Sequence, residues 1–197
     1  GATWTDLSGN GYNGTITNAT FSTTAGGSIS FDGTGDYVTN SGSYTNHQQS
    51  TGTIGAWVLL DINSENRYTI AVGGTTTSGA TRAIRLYSTK WSCVAYGSGE
   101  TEDWNTDVSA TAGVWNHVVY VWNGTTIYFY LNGVAYGPTI RSGLVTPTGT
   151  VLRVGSETWD TSNPLKGKIA TAFAYNTDIS ATEVKQNFNA HRIRFGL

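Results

Sequence analysis

A single cysteine, Cys93, excludes an intrachain disulfide and any metal centre built from cysteine pairs. It lies in the apolar stretch WSCVAY and reads as a buried structural thiol. Methionine is absent and proline occurs only three times. Charge is scarce as well: 12% of residues are charged and the formal net charge is −2. No basic run stands out, so the electrostatic footprint that binding a nucleic-acid backbone requires is missing. Neither a signal peptide nor an apolar run of membrane-spanning length is visible, and membrane insertion is not expected. The chain starts with glycine and holds no methionine, which reads as a piece of a longer protein.

What is present is glycine (25 residues), threonine and aromatic residues, the composition of pleated strands joined by tight turns. At 197 residues the chain is long enough for one domain with a sizeable core, taken as residues 1–197. GSISFDGTGDYVTN, GTIGAWVLLD, RAIRLYS, WSCVAY, VWNHVVYVW, TIYFYLNGVAYG, TVLRVG and GKIATAFAYN each have strand length and are bounded by turn residues. Asn123-Gly124 and Asn132-Gly133 lie between apolar runs and mark hairpins, because both residues tolerate positive φ. The pattern predicts an all-β, two-sheet antiparallel sandwich. One segment departs from it: Ser180 and Glu183 have capping-box spacing, and Val184 and Phe188 share a helical face. A helix over residues 181–191 is predicted, followed by an extended tail, and the polar stretch 39–53 reads as a long loop.

The ring-rich stretch AGVWNHVVYVWNGTTIYFYLNG, residues 112–133, bears directly on function. Strand alternation puts Ile127, Phe129 and Leu131 on one face and Tyr128 and Tyr130 on the other. Val118, Tyr120 and Trp122 go inside, with Trp122 as anchor. Tyr128, Tyr130 and His117 then fall on the outer face. Tyrosine there serves either a wet binding surface or simply a covered sheet.

Three stretches together resemble the concanavalin A-like, laminin G-like jelly-roll superfamily. WTDLSGNGYNGTITN leading to GSISFDGTGDYV resembles the opening of these modules. GVWNHVVYVWNGTTIYFYLNGV is similar to their Trp-x-His-Val strand and Tyr-x-Asn-Gly hairpin. LKGKIATAFAYNTDISATEVKQNFNA resembles their closing pattern. The ending ATEVKQNFNAHRIRFGL looks like the C-terminal helix and Arg-Phe-Gly tail of this fold in tailed-phage and marine viral structural proteins. The resemblance implies a two-sheet jelly roll with one short C-terminal helix, an appendage, fibre or capsid-surface setting, and a virion-surface or otherwise extracellular location. The tail residues Arg192, Arg194 and Phe195 are expected to dock on the sandwich or on a neighbouring protein, which in that setting is another virion protein. One departure is clear: Ala170 and Thr171 stand where cellular members often carry an acidic pair, which puts an inherited calcium site in doubt.

Catalytic chemistry finds little footing. Glycanases that share this sandwich resemble one another in a Glu-x-Asp-x-Glu strand that sets acid and nucleophile on one face. Here the nearest cluster is GETEDWNTD, with Glu100, Glu102, Asp103 and Asp107, and its flanking Gly and Asn favour a loop. YFYLNGVAY looks a little like the Tyr-Phe-Lys-Ala-Gly strand of jelly-roll alginate lyases but lacks the lysine. His47, His117 and His191 fall in no Ser/His/Asp spacing. A calcium ion wants several oxygen ligands, for which Asp32, Asp36 and Asp6 are candidates, although each is equally a turn former. Asn13, Asn18 and Asn123 match the glycosylation acceptor pattern and read equally well as turns.

The leading expectation is therefore a non-catalytic, lectin-like module of a viral particle that adheres to host surface glycans. Trp104 and Trp159, each flanked by polar residues, are its candidate sugar platforms, with Glu102 and Asp103 as hydroxyl partners and Tyr128, Tyr130 and His117 as a second face. Each indole serves equally well as a cap on the sandwich edge. The alternatives are a capsid-decoration or fibre domain that binds no sugar, and a glycan hydrolase or lyase, which only the shared sandwich supports.

Overall fold

The computed structural model of the chain describes residues 3–40, 42–75, 80–97, 100–141, 144–159 and 161–197, with the backbone alone at 97 and 100–102. The described strands form two antiparallel sheets. The eight-stranded sheet runs β1 (Thr3–Trp4), β2 (Gly14–Thr17), β5 (Tyr37–Asn40), β14 (Val151–Val154), β7 (Arg67–Gly73), β8 (Thr81–Tyr87), β9 (Lys90–Gly97), β10 (Glu100–Ser109). The seven-stranded sheet runs β13 (Val134–Ile140), β12 (Thr126–Leu131), β11 (Trp115–Asn123), β6 (Thr51–Leu60), β15 (Lys166–Tyr175), β4 (Ser28–Asp32), β3 (Thr20–Ser22). Strands adjacent in space are often distant in sequence, as in a jelly-roll sandwich.

Alternation builds the layer between the sheets. Ile54, Ala56, Val58 and Leu60 of β6 meet Val118, Tyr120 and Trp122 of β11 and Ile127 and Phe129 of β12. From the other sheet come Ile70, Val72, Ile84, Leu86, Trp91 and Cys93, so the single thiol is buried in the core as its sequence setting implies. Trp122 fits because its partner across the ladder is Gly52: a Cβ there would lie 2.2 Å from the indole. Gly52 and Trp122 thus form one packing unit, with the small residue making room for the large one.

Helix α1 (Ala181–His191) matches its predicted span and starts with a complete capping box between Ser180 and Glu183. Such a cap stabilises a helix start by about 1 kcal/mol. The tail is not extended: residues Arg192–Phe195 form a 3-10 turn that ends on Gly196 in the left-handed region, φ 76°. Three bonds anchor it. Arg194 donates from Nε to the Ala25 carbonyl at 2.6 Å and from Nη2 to the Gly27 carbonyl at 3.0 Å, and the Gly196 amide donates back to Ile193 at 3.2 Å. The predicted loop 39–53 is shorter, because β5 reaches Asn40 and β6 begins at Thr51.

Candidate functional site

The centre of the outer face of the seven-stranded sheet is covered, while Tyr175 near one end of β15 stays 40% exposed. Val184 of α1 packs on Val119, Val121 and Tyr130. Phe188 and Phe195 cover Trp57, with ring centroids at 5.7 and 4.0 Å. His117 lies beneath them, 1% exposed, 5.0 Å from the Trp57 ring and 6.1 Å from Phe188. This corrects the reading of His117, Tyr128 and Tyr130 as an open binding face. Tyr130 is 4% exposed, Tyr128 is half-buried in the same cluster, and the covered-sheet alternative holds. Period-2 alternation places these side chains outside the sandwich but carries no sign of a helix folding back over them.

The acidic segment is also corrected. GETEDWNTD is not a loop; it lies almost wholly within β10, an edge strand paired with β9. Tertiary pairing overrides the local preference of its Asn and acidic residues. Trp104 is opposite Cys93 and points between the sheets, where it packs half-buried on the core. Its ring sits so close to Gly137 of β13 that a Cβ there would come within 2.8 Å. Trp104 therefore caps the edge where β10 faces β13, as the edge-cap alternative has it. The side chains of Glu100 and Glu102 lie outside the described residues.

The candidate calcium ligands serve turns. Asp6 accepts the amides of Ser8 and Tyr12 at 2.8 and 2.9 Å and the Ser8 hydroxyl at 2.9 Å. The Ser8 backbone bond, the largest contribution, holds its carboxyl below the usual range. Asp36, 2% exposed, accepts from the Asn18 side chain and from the Asp32 amide, both at 2.6 Å. Asp32 accepts the Thr34 amide at 2.7 Å. No group of three or more His, Cys, Asp or Glu side chains that could hold a metal occurs among the described residues. The three carboxylates do not fit a calcium cage.

Two of the expected residues do come together, on the outer face of the eight-stranded sheet. Tyr68, Arg85, Ser92, Tyr96 and Asp103 share that face. The segment after β14 carries Trp159 onto it, edge-on to Tyr96 at 5.0 Å and to Tyr68 at 6.2 Å. Arg85 is the hub. It donates to Asp103 Oδ2 at 2.5 Å and to the Tyr68 hydroxyl at 3.3 Å. Its guanidinium carbon lies 5.8 Å from the Tyr68 ring centre and 4.7 Å from that of Tyr87. Burial raises the Asp103 carboxyl pKa, and Arg85 pulls it back only in part. Burial opposes the Arg85 charge but is outweighed by Tyr68 and Asp103, so the guanidinium is held protonated. The Tyr68 phenol is pushed up by burial first and by Tyr96 second. Asp103 Oδ1, Arg85 Nε and Ser92 Oγ are buried and have no hydrogen-bond partner among the described residues.

Of these residues only the Trp159 and Tyr96 rings are half-buried and Asp103 keeps partial exposure, while Tyr68, Arg85 and Ser92 are 1%, 7% and 0% exposed and lie beneath them. The accessible part, two rings beside a carboxylate, suits a polyhydroxylated ligand with an apolar C–H face. Arg85, Tyr68, Tyr96 and Tyr87 escaped the sequence reading. The signal was RAIRLYS, where Arg85 and Tyr87 alternate with Ile84 and Leu86 and so must lie on the face away from the core.

Residues 32–185 match the pattern of a laminin G-like family, described as the concanavalin A-like lectin/glucanases superfamily. No curated protein sequence matches the chain. Among solved structures, domain 4 of AbnA, an extracellular arabinanase of Geobacillus stearothermophilus in complex with arabinotriose, is similar at 18% identity and TM-score 0.72. The match covers 92% of this chain and 90% of that domain. The binding domain of Paraclostridial Mosquitocidal Protein 1 is similar at 16% identity and TM-score 0.73, over 94% of this chain and 49% of that one. A Trypanosoma rangeli sialidase matches at 16% identity and TM-score 0.72, over 98% of this chain and 32% of its own. The botulinum neurotoxin serotype D binding domain matches at 16% identity and TM-score 0.67, over 92% of this chain. This chain spans about half the length of the toxin binding domains and about a third of the sialidase. At these identities the likeness is one of fold.

Proposed function

The chain belongs to the concanavalin A-like lectin/glucanases superfamily, and from that premise we propose that it is a non-catalytic, lectin-like module that binds glycans. The observation that carries this reading is the Trp159–Tyr96–Tyr68 ring cluster beside the Arg85–Asp103 pair. It lies on the outer face of the eight-stranded sheet, opposite the face on which the C-terminal helix packs. A sugar stacks its C–H face on the indole while its hydroxyls reach Asp103, the more exposed member of the ion pair at 26%. The arabinotriose complex of the AbnA domain, similar over nearly its whole length, supports a sugar ligand for this fold.

A binding rather than hydrolytic role is supported by the state of the acids. Asp103 is ion-paired with Arg85, and Glu157, 3% exposed, accepts from the Ser162 hydroxyl. The Glu-x-Asp-x-Glu strand of the related glycanases is missing from the sequence. The finer reading, adhesion of a viral particle to host surface glycans from a virion-surface or extracellular position, rests on the resemblance of the C-terminal end. Attachment of a virion protein through that tail gains no support, since Arg194 and Phe195 are spent on the chain's own sheet.

The test is an array of neutral and acidic bacterial, plant and algal glycans probed with the purified chain, with calcium and with chelator. Selective binding that Trp159→Ala weakens about tenfold or more, an energy of about 1.4 kcal/mol, is the expected result. Binding by Trp159→Ala and Asp103→Ala at wild-type strength would remove this site. Loss of binding with chelator would return the turn aspartates to the argument.

A further inference from the structure

A second feature adjoins this cluster. An open pocket of about 550 Å³ lies at the end of the eight-stranded sheet, where the β6–β7 connection, the β8–β9 turn and the loop after β14 meet. Tyr87, 40% exposed, supplies its one aromatic wall. Ser64, Asn66, Ser88 and Asn163 supply hydroxyls and amides. Of these, the Ser64 and Ser88 hydroxyls and the Asn66 Nδ2 make no hydrogen bond within the described chain, while Asn66 Oδ1 fixes the turn by accepting the Ser88 amide at 3.3 Å.

The charges of the pocket cancel. Arg67 ion-pairs with Glu65, and its Nη1 donates to the carbonyls of Pro164 at 2.8 Å and Gly33 at 3.3 Å. That guanidinium is a structural clamp, already neutralised, and not a free cation waiting for a carboxylate or sulfate. A cavity of this size with one ring and several uncharged hydrogen-bonding groups selects a small, neutral, hydroxyl-rich ligand. The pocket and the Trp159 cluster share a wall, because Arg85 lies between the rings of Tyr68 and Tyr87. Along β8 the ladder sets the distances: Tyr68 is paired with Arg85, two residues from Tyr87, and Tyr96 with Thr81, six residues away, so at about 3.3 Å per residue the cluster extends from about 7 to about 20 Å from Tyr87. One sugar unit cannot span the whole of it, and an oligosaccharide can.

We infer that this pocket is a second sugar subsite, holding one uncharged sugar unit against Tyr87 while the rest of the same chain crosses Arg85 and Asp103 toward Trp159. The inference rests on the glycan-binding reading and adds to it an extended ligand and a preference for neutral units. Calorimetric titration of the full chain with xylotriose, cellotriose, mannotriose and trigalacturonate tests it, using wild type, Trp159→Ala, Tyr87→Ala, Tyr87→Phe and Asn66→Ala. Asn66→Ala leaves the Arg85–Tyr87 contact in place, so it probes the pocket without touching the cluster. The expected result is that a neutral trisaccharide binds best, that Tyr87→Ala and Asn66→Ala each weaken it by about tenfold, and that Tyr87→Phe keeps wild-type affinity. Binding that falls with Trp159→Ala but is unchanged in Tyr87→Ala and Asn66→Ala overturns the subsite and leaves the lectin reading standing. Tighter binding of trigalacturonate than of every neutral sugar overturns the charge argument and with it the subsite. No binding of any probe by the wild type overturns both.

Discussion

Phe195 stacks on Trp57 with ring centroids 4.0 Å apart and planes 17° from parallel. One residue is third from the C-terminus and the other is in the middle of the central strand β6, so the contact ties the end of the chain to the centre of the seven-stranded sheet. Trp115 also touches Phe195, with ring centroids 4.9 Å apart, and Arg194 hydrogen-bonds two carbonyls of the β3–β4 connection. The Arg-Phe-Gly ending is thus a latch: the arginine fixes its position, the phenylalanine fills the gap over Trp57, and the glycine turns the chain away. Its consequence for function is indirect. It covers the centre of one outer face, and the proposed glycan site lies on the opposite sheet.

Removing the latch ring should therefore lower stability and leave binding intact. Phe195→Ala deletes a side chain that is 6% exposed and packed on two indoles. Truncations of this kind cost about 3 kcal/mol, which for a chain of this length lowers Tm by roughly 6–12 °C. Ile193→Ala, at a position 84% exposed in the same turn, should change stability by less than about 0.5 kcal/mol. Thermal unfolding checks both, and glycan titration of folded Phe195→Ala should match wild type. Equal effects of the two substitutions would show that the turn, and not the ring, holds the tail.

Much of this fold is written locally. The Asn132-Gly133 hairpin has both residues at positive φ, 53° and 77°, as the pair predicts. Ser180 and Glu183 cap the helix where the spacing says they should. The inward set of β11 and β12 follows from alternation, although the pairing of Trp122 with Gly52 depends on register, which no local pattern gives. The site was less legible, because its residues owe their roles to distant partners. His117 is a tyrosine-side neighbour in the sequence and becomes buried only because α1 returns across β11. Trp104 and Asp103 are adjacent, yet strand pleating sends the first into the core and the second to the outer face. A segment read as a loop hides that difference. Trp159 and Asp103 were each visible; Arg85, which joins their surroundings, was visible only as an odd charge in an apolar strand.

The buried imidazole makes stability sensitive to mild acid. Burial first, and the nearby His191 charge second, lower the pKa of His117 to about 4. A histidine in the unfolded chain titrates near 6.5. Above that value both states are neutral and the packing of His117 is fully available. As pH falls from about 6.5 to about 4, the unfolded chain takes up a proton that the folded chain excludes. Stability is then lost at about 1.4 kcal/mol per pH unit, about 3 kcal/mol in all. His47, also lowered to about 4 by burial, adds a parallel slope. Urea unfolding of wild type and His117→Phe across this range should show the slope reduced by about half in the variant. An unchanged slope would mean that His117 is protonated within the folded chain.

The Arg85–Asp103 pair separates stability from recognition. The two side chains are only 9% and 26% exposed, and they touch at 2.5 Å. Ion pairs in such settings give back in Coulomb attraction about what they lose in hydration, so an apolar pair of similar volume is often no less stable. Removing one partner is different, because it strands the other charge. Asp103→Leu alone leaves the Arg85 guanidinium against two tyrosine rings without its carboxylate. The cost should be about 2 kcal/mol, below the 3–5 kcal/mol of a fully buried pair because water reaches Asp103. Arg85→Met combined with Asp103→Leu should recover most of that loss in urea unfolding. It should nevertheless abolish glycan binding, since the donor and acceptor beside Trp159 are gone. If the double variant binds as wild type does, the pair is only part of the scaffold and recognition rests on the rings. If it is as unstable as the single variant, the pair holds the outer face together. The expected pattern, stability regained and binding lost, is the one in which a costly buried pair stays in the sheet because the ligand needs it.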